Sequence, residues 1–154
     1  VLNESGQCLA FEPPDYGSIA TIGGTIASGL SGPCRPYRGS ARDFVLGVTC
    51  VNGLGEFLRF GGQVMKNVAG YDVSRLMVGA MGTLGAILDV SFKVLPTPEV
   101  EQTRVYEFPE GISIVKMNEW AAQPWPLSAA CYLKGELRIR LSGTEAGVAA
   151  AALE

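Results

Sequence analysis

Three glycine-bearing blocks hold most of the chemistry this sequence can offer. The first is TIGGTIASG, in which Thr21 precedes Gly23-Gly24 where a helix pattern begins. Bare backbone amides there suit a phosphate or another electron-rich ligand, with help from the helix dipole. The second is RGSARD, residues 38–43, a turn that carries two arginines and Asp43. The third is KNVAGYDVSRLMVGAMGTLG, residues 66–85, with glycines at 70, 79, 82 and 85. Clustered glycine gives up side-chain packing and costs backbone entropy, so each block is either a ligand cradle or a set of chain reversals. The residues alone leave both readings open.

Other chemistry is excluded by composition. The chain has no histidine, which removes the commonest general base and the commonest metal ligand. Cys8, Cys34, Cys50 and Cys131 form no CxxC pair. They read as small buried hydrophobes of a reducing compartment, with disulfides the lesser option, and no metal site is expected. Gly53-Leu54-Gly55 is followed by Leu58 where a dinucleotide fingerprint needs its third glycine. No GxxxxGK[ST] or GxSxG motif is present either. With a net charge of −3 there is no electrostatic case for nucleic-acid binding. No apolar run approaches the roughly 20 residues of a membrane span.

The elements that must position these blocks are readable by pattern. A content of 47% hydrophobic and 18% charged residues supports a packed core rather than disorder. Residues 11–19 read as loop and 21–28 as helix, followed by the turn-rich GLSGPCRPYRGS. Residues 44–60 form a hairpin around Asn52-Gly53, a pair suited to a tight turn, which Leu54-Gly55 would lengthen. Asp72 caps a helix whose Val73, Leu76, Met77 and Ala80 make an apolar stripe. In residues 84–96, Ala86, Leu88, Val90, Phe92 and Val94 alternate with more polar neighbours, which predicts a half-buried strand ended by Pro96. Pro96-Thr97-Pro98 marks a domain boundary, giving domains at 1–98 and 99–154. Beyond it the order is β-α-β-β-α, most of a ferredoxin-like sandwich without its last strand. The fold class is α+β. A start at Val1 and a stop inside an alanine-rich helix predict a fragment of a longer protein.

Taken in order, the blocks resemble a known family. TIGGTIASGLSGPCRPYRGSARDFVLGV, KNVAGYDVSRLMVGAMGTLGAI and VSFKVLPTP are similar to the second half of the FAD-binding domain of the vanillyl-alcohol oxidase/para-cresol methylhydroxylase (PCMH-type) superfamily. The family pattern runs GG-x-I-A, then [YF]-x-G-x-x-x-D-x-V-x-G, then GYD-x-x-x-L and G-x-x-G-T-L-G. Within that superfamily the likeness is to the FAD-binding subunits of bacterial glycolate oxidase. It covers roughly the first 100 residues and continues more weakly beyond them.

The resemblance implies an FAD domain of two α+β subdomains with the flavin between them. This chain would hold the second subdomain and a partial ferredoxin-like substrate (cap) domain. Carried over by motif, Asp15, Thr21, Gly23, Gly24, Ala27 and Ser28 approach the ribityl and diphosphate region. Gly39, Arg42 and Asp43 belong to the next turn, and Gly82, Thr83, Gly85 and Ile87 line the adenine end. Two departures stand out: Met81 replaces the glutamate of many relatives, and the RPYRGSARD turn carries extra cationic residues, suited to a subunit contact. The implied parent is a subunit of a glycolate or D-lactate dehydrogenase complex, with a small 2-hydroxy acid as substrate. It would pass electrons through FAD to an iron–sulfur subunit and quinone, beside a sister FAD subunit. Its expected place is cytoplasmic, peripheral at the inner face of the bacterial membrane through its partners. No catalytic residue is identified, and FAD is expected to be absent from, or weakly held by, the fragment alone. Two alternatives remain: a non-catalytic assembly subunit that keeps the flavoprotein fold, and an unrelated α+β module whose glycines are only turns.

Overall fold

The computed structural model describes residues 1–17, 19–62 and 70–151. Ser18 of the predicted 11–19 loop, Lys66–Ala69 of the third glycine block and the last three residues of the predicted final helix lie outside the described residues. The chain divides into two compact units, residues 1–32 with 39–95, and residues 33–38 with 96–154.

The first unit is a three-stranded antiparallel sheet with short helices packed against one face. Strand β1 is Gln7–Leu9, helix α1 is Ile22–Ser28, and α2 (Arg35–Arg38) and α3 (Ala41–Phe44) are single turns. The segment expected to be turns is therefore partly helical, and α2 belongs to the second unit. Strands β2 (Val45–Val51) and β3 (Phe57–Gly61) form the hairpin, α4 spans Val73–Leu76, and β4 spans Ala86–Phe92. The sheet order is β3-β2-β4, and β1 pairs separately with β5 (Val94–Pro96). Phe11, Ile26, Phe44, Val45, Val48 and Met77 are buried against the inner face of this sheet.

Local chemistry explains the form of the hairpin loop and two differences from the sequence pattern. The hairpin loop takes the longer form: Asn52 Oδ1 accepts from the amides of Leu54 (2.9 Å) and Glu56 (3.0 Å), and Gly55 rather than Gly53 holds the left-handed position, φ 77°. The Asp72-capped helix stops after one turn, so the predicted stripe is only partly buried. Met77 lies in the core while Leu76 is 40% exposed. In β4 the pairing slips by one residue between Thr49↔Asp89 and Cys50↔Ile87. That bulge turns Leu88 outward, 56% exposed, and sends Ile87 to the core in its place. Strict alternation cannot anticipate an inserted residue.

In the second unit β6 (Val100–Glu107), α5 (Glu110–Ala121), β7 (Leu127–Leu133), β8 (Glu136–Gly143) and α6 (Glu145–Ala150) follow in the β-α-β-β-α order. The antiparallel sheet runs β6-β8-β7. Leu137, Ile139 and Leu141 of β8 are fully buried with Trp120 of α5 and Val148 of α6. Lys134 and Gly135 both have positive φ, 52° and 87°, which makes the β7–β8 connection a tight turn. Thr144 caps α6 by accepting from the Gly147 amide.

Gly85 enters β4 at φ 149°, and a Cβ there would lie 2.5 Å from the Val51 carbonyl oxygen. Gly85→Ala is therefore expected to cost about 1–3 kcal/mol in urea unfolding. Gly53→Ala, where a Cβ meets nothing within 4 Å, should be near neutral.

Candidate functional site

Helix α1 is built by its cap and by one buried residue. Thr21 is extended, and its hydroxyl accepts from the Gly24 amide at 3.1 Å. Gly29 closes the helix in the left-handed conformation, φ 67°. Ile26 is fully buried and holds the helix to the core. Its C-terminal carbonyls are used as well: Ile26 accepts from the Gly79 amide at 3.0 Å, and Ala27 from the Met81 amide at 2.8 Å. At the other end a Cβ on Gly23 would lie 3.1 Å from the Ile87 carbonyl oxygen, so the helix backbone rests almost directly on β4.

Those contacts bring two of the three glycine blocks into one wall. Thr21, Gly23, Gly24, Ala27 and Ser28 lie on α1, and Gly82, Thr83, Gly85 and Ile87 lie along the adjoining segment. The turn at 80–83 is closed by Thr83, whose amide and hydroxyl both donate to the Ala80 carbonyl, at 2.9 and 2.6 Å. Its central residues, Met81 and Gly82, both have positive φ, 52° and 77°.

Beside the wall is an open groove of about 280 Å³, lined by Tyr16, Ile19, Ala20, Thr21, Gly24, Thr25 and Ser28. The Ser28 hydroxyl donates to the Thr25 carbonyl at 2.9 Å, so its lone pairs remain for an outside donor. Asp15 sits at the approach to Tyr16 and accepts from the Gly17 amide at 2.8 Å, an Asx turn that shapes the loop. Tyr16, Ile19, Ala20 and Thr25 were not singled out from the sequence. Tyr16 and Ile19 are 76% and 87% exposed, and large apolar groups in a Pro/Gly-rich loop just before a capped helix are the signal that marks them.

Gly39, Arg42 and Asp43 are not brought into this groove. Asp43 Oδ2 accepts from both the amide and the hydroxyl of Ser40, each at 2.8 Å, in a capping box at the start of α3. Gly39 leaves room for that carboxylate, since a Cβ there would lie 3.0 Å from Asp43 Oδ2. The Ser40 amide, then its hydroxyl, hold the Asp43 carboxyl below its ordinary value of 3.8. Among the described residues no group of His, Cys, Asp or Glu is placed to hold a metal.

A wall of backbone and hydroxyl groups beside an aromatic-edged groove suits a long, uncharged or anionic cofactor held without salt bridges. Residues 1–61 match the family model described as "FAD binding domain". That match and the relatives below make the chain similar to FAD-binding proteins. It is 51% identical over 150 residues to the glycolate oxidase subunit GlcE of Escherichia coli (strain K12), covering 97% of this chain and 43% of that protein. It is 43% identical over 95 residues to the glycolate oxidase subunit GlcD of Bacillus subtilis (strain 168), covering 60% of this chain and 20% of that protein. Among solved structures, an alkyldihydroxyacetonephosphate synthase shares the fold, with a TM-score of 0.73 at 17% identity over 96% of this chain and 33% of that one. The chain thus spans less than half the length of the relatives it matches.

Asp43→Asn should lower stability by about 1 kcal/mol at neutral pH, read from thermal or urea unfolding. A carboxyl with a depressed folded value stabilises above its unfolded value and loses that contribution as pH falls through the folded one. The difference between parent and variant should therefore be constant above about pH 5 and shrink below pH 4.

Proposed function

We propose that this chain supplies one wall of the FAD site in a longer 2-hydroxy-acid dehydrogenase subunit of glycolate oxidase type, with glycolate or D-lactate as substrate. The observation that carries this reading is the junction of α1 with β4. Gly23 rests on Ile87, and Ala27 accepts from Met81, so two separate family motifs pack against each other. The relatives named as glycolate oxidase subunits support the substrate class.

FAD, when bound, supplies the two-electron acceptor for oxidation of the 2-hydroxy acid. This chain's part is to hold and orient it. Thr21, Gly24 and Ser28 offer backbone and hydroxyl groups along the groove, and Gly82 to Ile87 offer backbone groups at the adjoining end. Tyr16 and Ile19 cover apolar surface and keep water from it. Gly39, Arg42 and Asp43 act in this reading by fixing the chain path into β2, with the exposed Arg42 available to a neighbouring subunit.

The two domains of the reading are residues 1–98, the second subdomain of the FAD domain, and 99–154, the opening part of the substrate domain. The word "subunit" in both relatives' names supports a multi-subunit assembly. Its other members in this reading are a sister FAD subunit and an iron–sulfur subunit that passes electrons to quinone. No helix among the described residues is long and apolar enough to cross a membrane. In this reading, attachment at the inner face of a bacterial membrane runs through those partners.

The full-length parent is expected to show flavin absorption that bleaches on adding glycolate or D-lactate. A flavin that neither acid bleaches would favour an assembly role, and a colourless parent would overturn the FAD site. Ser28→Leu in the parent fills the groove while removing only a bond within α1. It is expected to weaken FAD binding at least about 10-fold by fluorescence titration, with unchanged circular dichroism. The 154-residue chain alone should not retain stoichiometric FAD through purification.

A further inference from the structure

The β3-β2-β4 sheet of the first unit has a second face, turned away from the core. Val48 and Cys50 of β2 point inward, each 2% exposed, so Thr49 and Val51 point outward. Strand register puts their neighbours on the same outer face. Phe57 and Ala86 flank Val51, and Arg59 and Asp89 flank Thr49. A shallow hollow lined by Thr49, Arg59, Asp89 and Ser91, among others, lies between the two charges.

Two properties set this face apart from a solvated one. An antiparallel sheet that meets water on one side carries polar residues there. Here Phe57 is 69% exposed, and Leu88, turned outward by the bulge beside Asp89, is 56% exposed. The second property is an unused pair of opposite charges. Two strand spacings of about 4.8 Å keep Arg59 and Asp89 roughly 10 Å apart, too far to bond each other. Among the described residues neither forms an ion pair, and both are exposed.

The arrangement is self-complementary. A two-fold axis lying over β2 and parallel to it exchanges the β3 side of the face with the β4 side. Arg59 of one copy then stands opposite Asp89 of the other, twice, and Phe57 stands opposite the small Ala86, twice. Thr49 and Val51 meet their own counterparts on the axis. Stacked sheets lie about 10 Å apart, a gap that an arginine crosses to a facing carboxylate and that a phenyl ring over alanine fills. An axis across the strands would instead set Arg59 on Arg59 and Asp89 on Asp89, so charge selects one orientation.

We propose that this face pairs with the same face of a second copy of the chain, about a two-fold axis along β2. Two Arg59–Asp89 ion pairs sit beside an apolar strip of Phe57, Val51 and Ala86. The pairing stands apart from the FAD reading, since it uses the sheet face opposite the helices.

Sedimentation velocity of the full-length parent, without other subunits, tests it. A concentration-dependent equilibrium between monomer and dimer is expected. Arg59→Glu and Asp89→Arg each set like charges opposite one another, and each is expected to weaken dimerisation at least about 100-fold. Mixing the two variants is expected to restore the dimer, because every reversed charge then meets its opposite. Both positions are exposed, so circular dichroism and thermal unfolding of each monomer should match the parent. A parent that stays monomeric into the high micromolar range would overturn the proposal, as would association only with a different subunit. A dimer that neither variant weakens, or a mixture of variants that stays monomeric, would overturn it as well.

Discussion

The first unit depends on how closely α1 can approach the edge of its sheet. Gly23 has no Cβ, and even an added one would come within 3.1 Å of the Ile87 carbonyl. The approach lets the end of the helix share its carbonyls with the neighbouring segment, Ile26 with Gly79 and Ala27 with Met81. A helix of seven residues is too short to be stable by itself. It persists because Thr21 caps it, Ile26 is buried beneath it and two of its carbonyls are satisfied from outside. Burying Ile26 alone is worth about 2 kcal/mol. The groove walls inherit their rigidity from these contacts.

That constraint also sets the chemistry of the site. The helix face turned to the sheet is spent on packing, so only Thr21, Gly24, Thr25 and Ser28 remain toward the groove. None of them carries charge. The groove thus offers hydroxyl and backbone dipoles, with the exposed Tyr16 and Ile19 at its rim. The charged groups of the RGSARD turn work elsewhere: Asp43 closes a capping box, which is a folding role. The second unit draws on a different source of order. Its β8 is buried on the helix side by Leu137, Ile139 and Leu141, and Glu101, Ser128, Arg140 and Ser142 make a linked polar set of hydrogen bonds.

Much of this was legible in the residues because it depends on local interactions. Asp72 was recognisable as a cap from type and position and accepts from the Arg75 amide, and Thr21, placed where the helix pattern begins, caps α1. The β-α-β-β-α order followed from strand and helix periodicity. A cofactor wall was expected only from the ordered motifs, since no single block distinguishes a cradle from a turn. Tyr16 and Ile19 escaped notice because a loop residue's exposure is set by what packs around it.

The sequence by itself determined most of the strands and longer helices, the absence of histidine chemistry and the motif order that resembles the FAD-binding superfamily. These rest on side-chain type and on spacing along the chain. Tertiary structure alone decided the rest. The bulge at Leu88 exchanged which of two neighbouring apolar residues reaches the core, because register is a property of paired strands. The short α4 left Leu76 outside the stripe its spacing implied. The joining of α1 to residues 79–87 came from a backbone approach that leaves no periodic trace. The Ile87 carbonyl that Gly23 meets appears only in the fold.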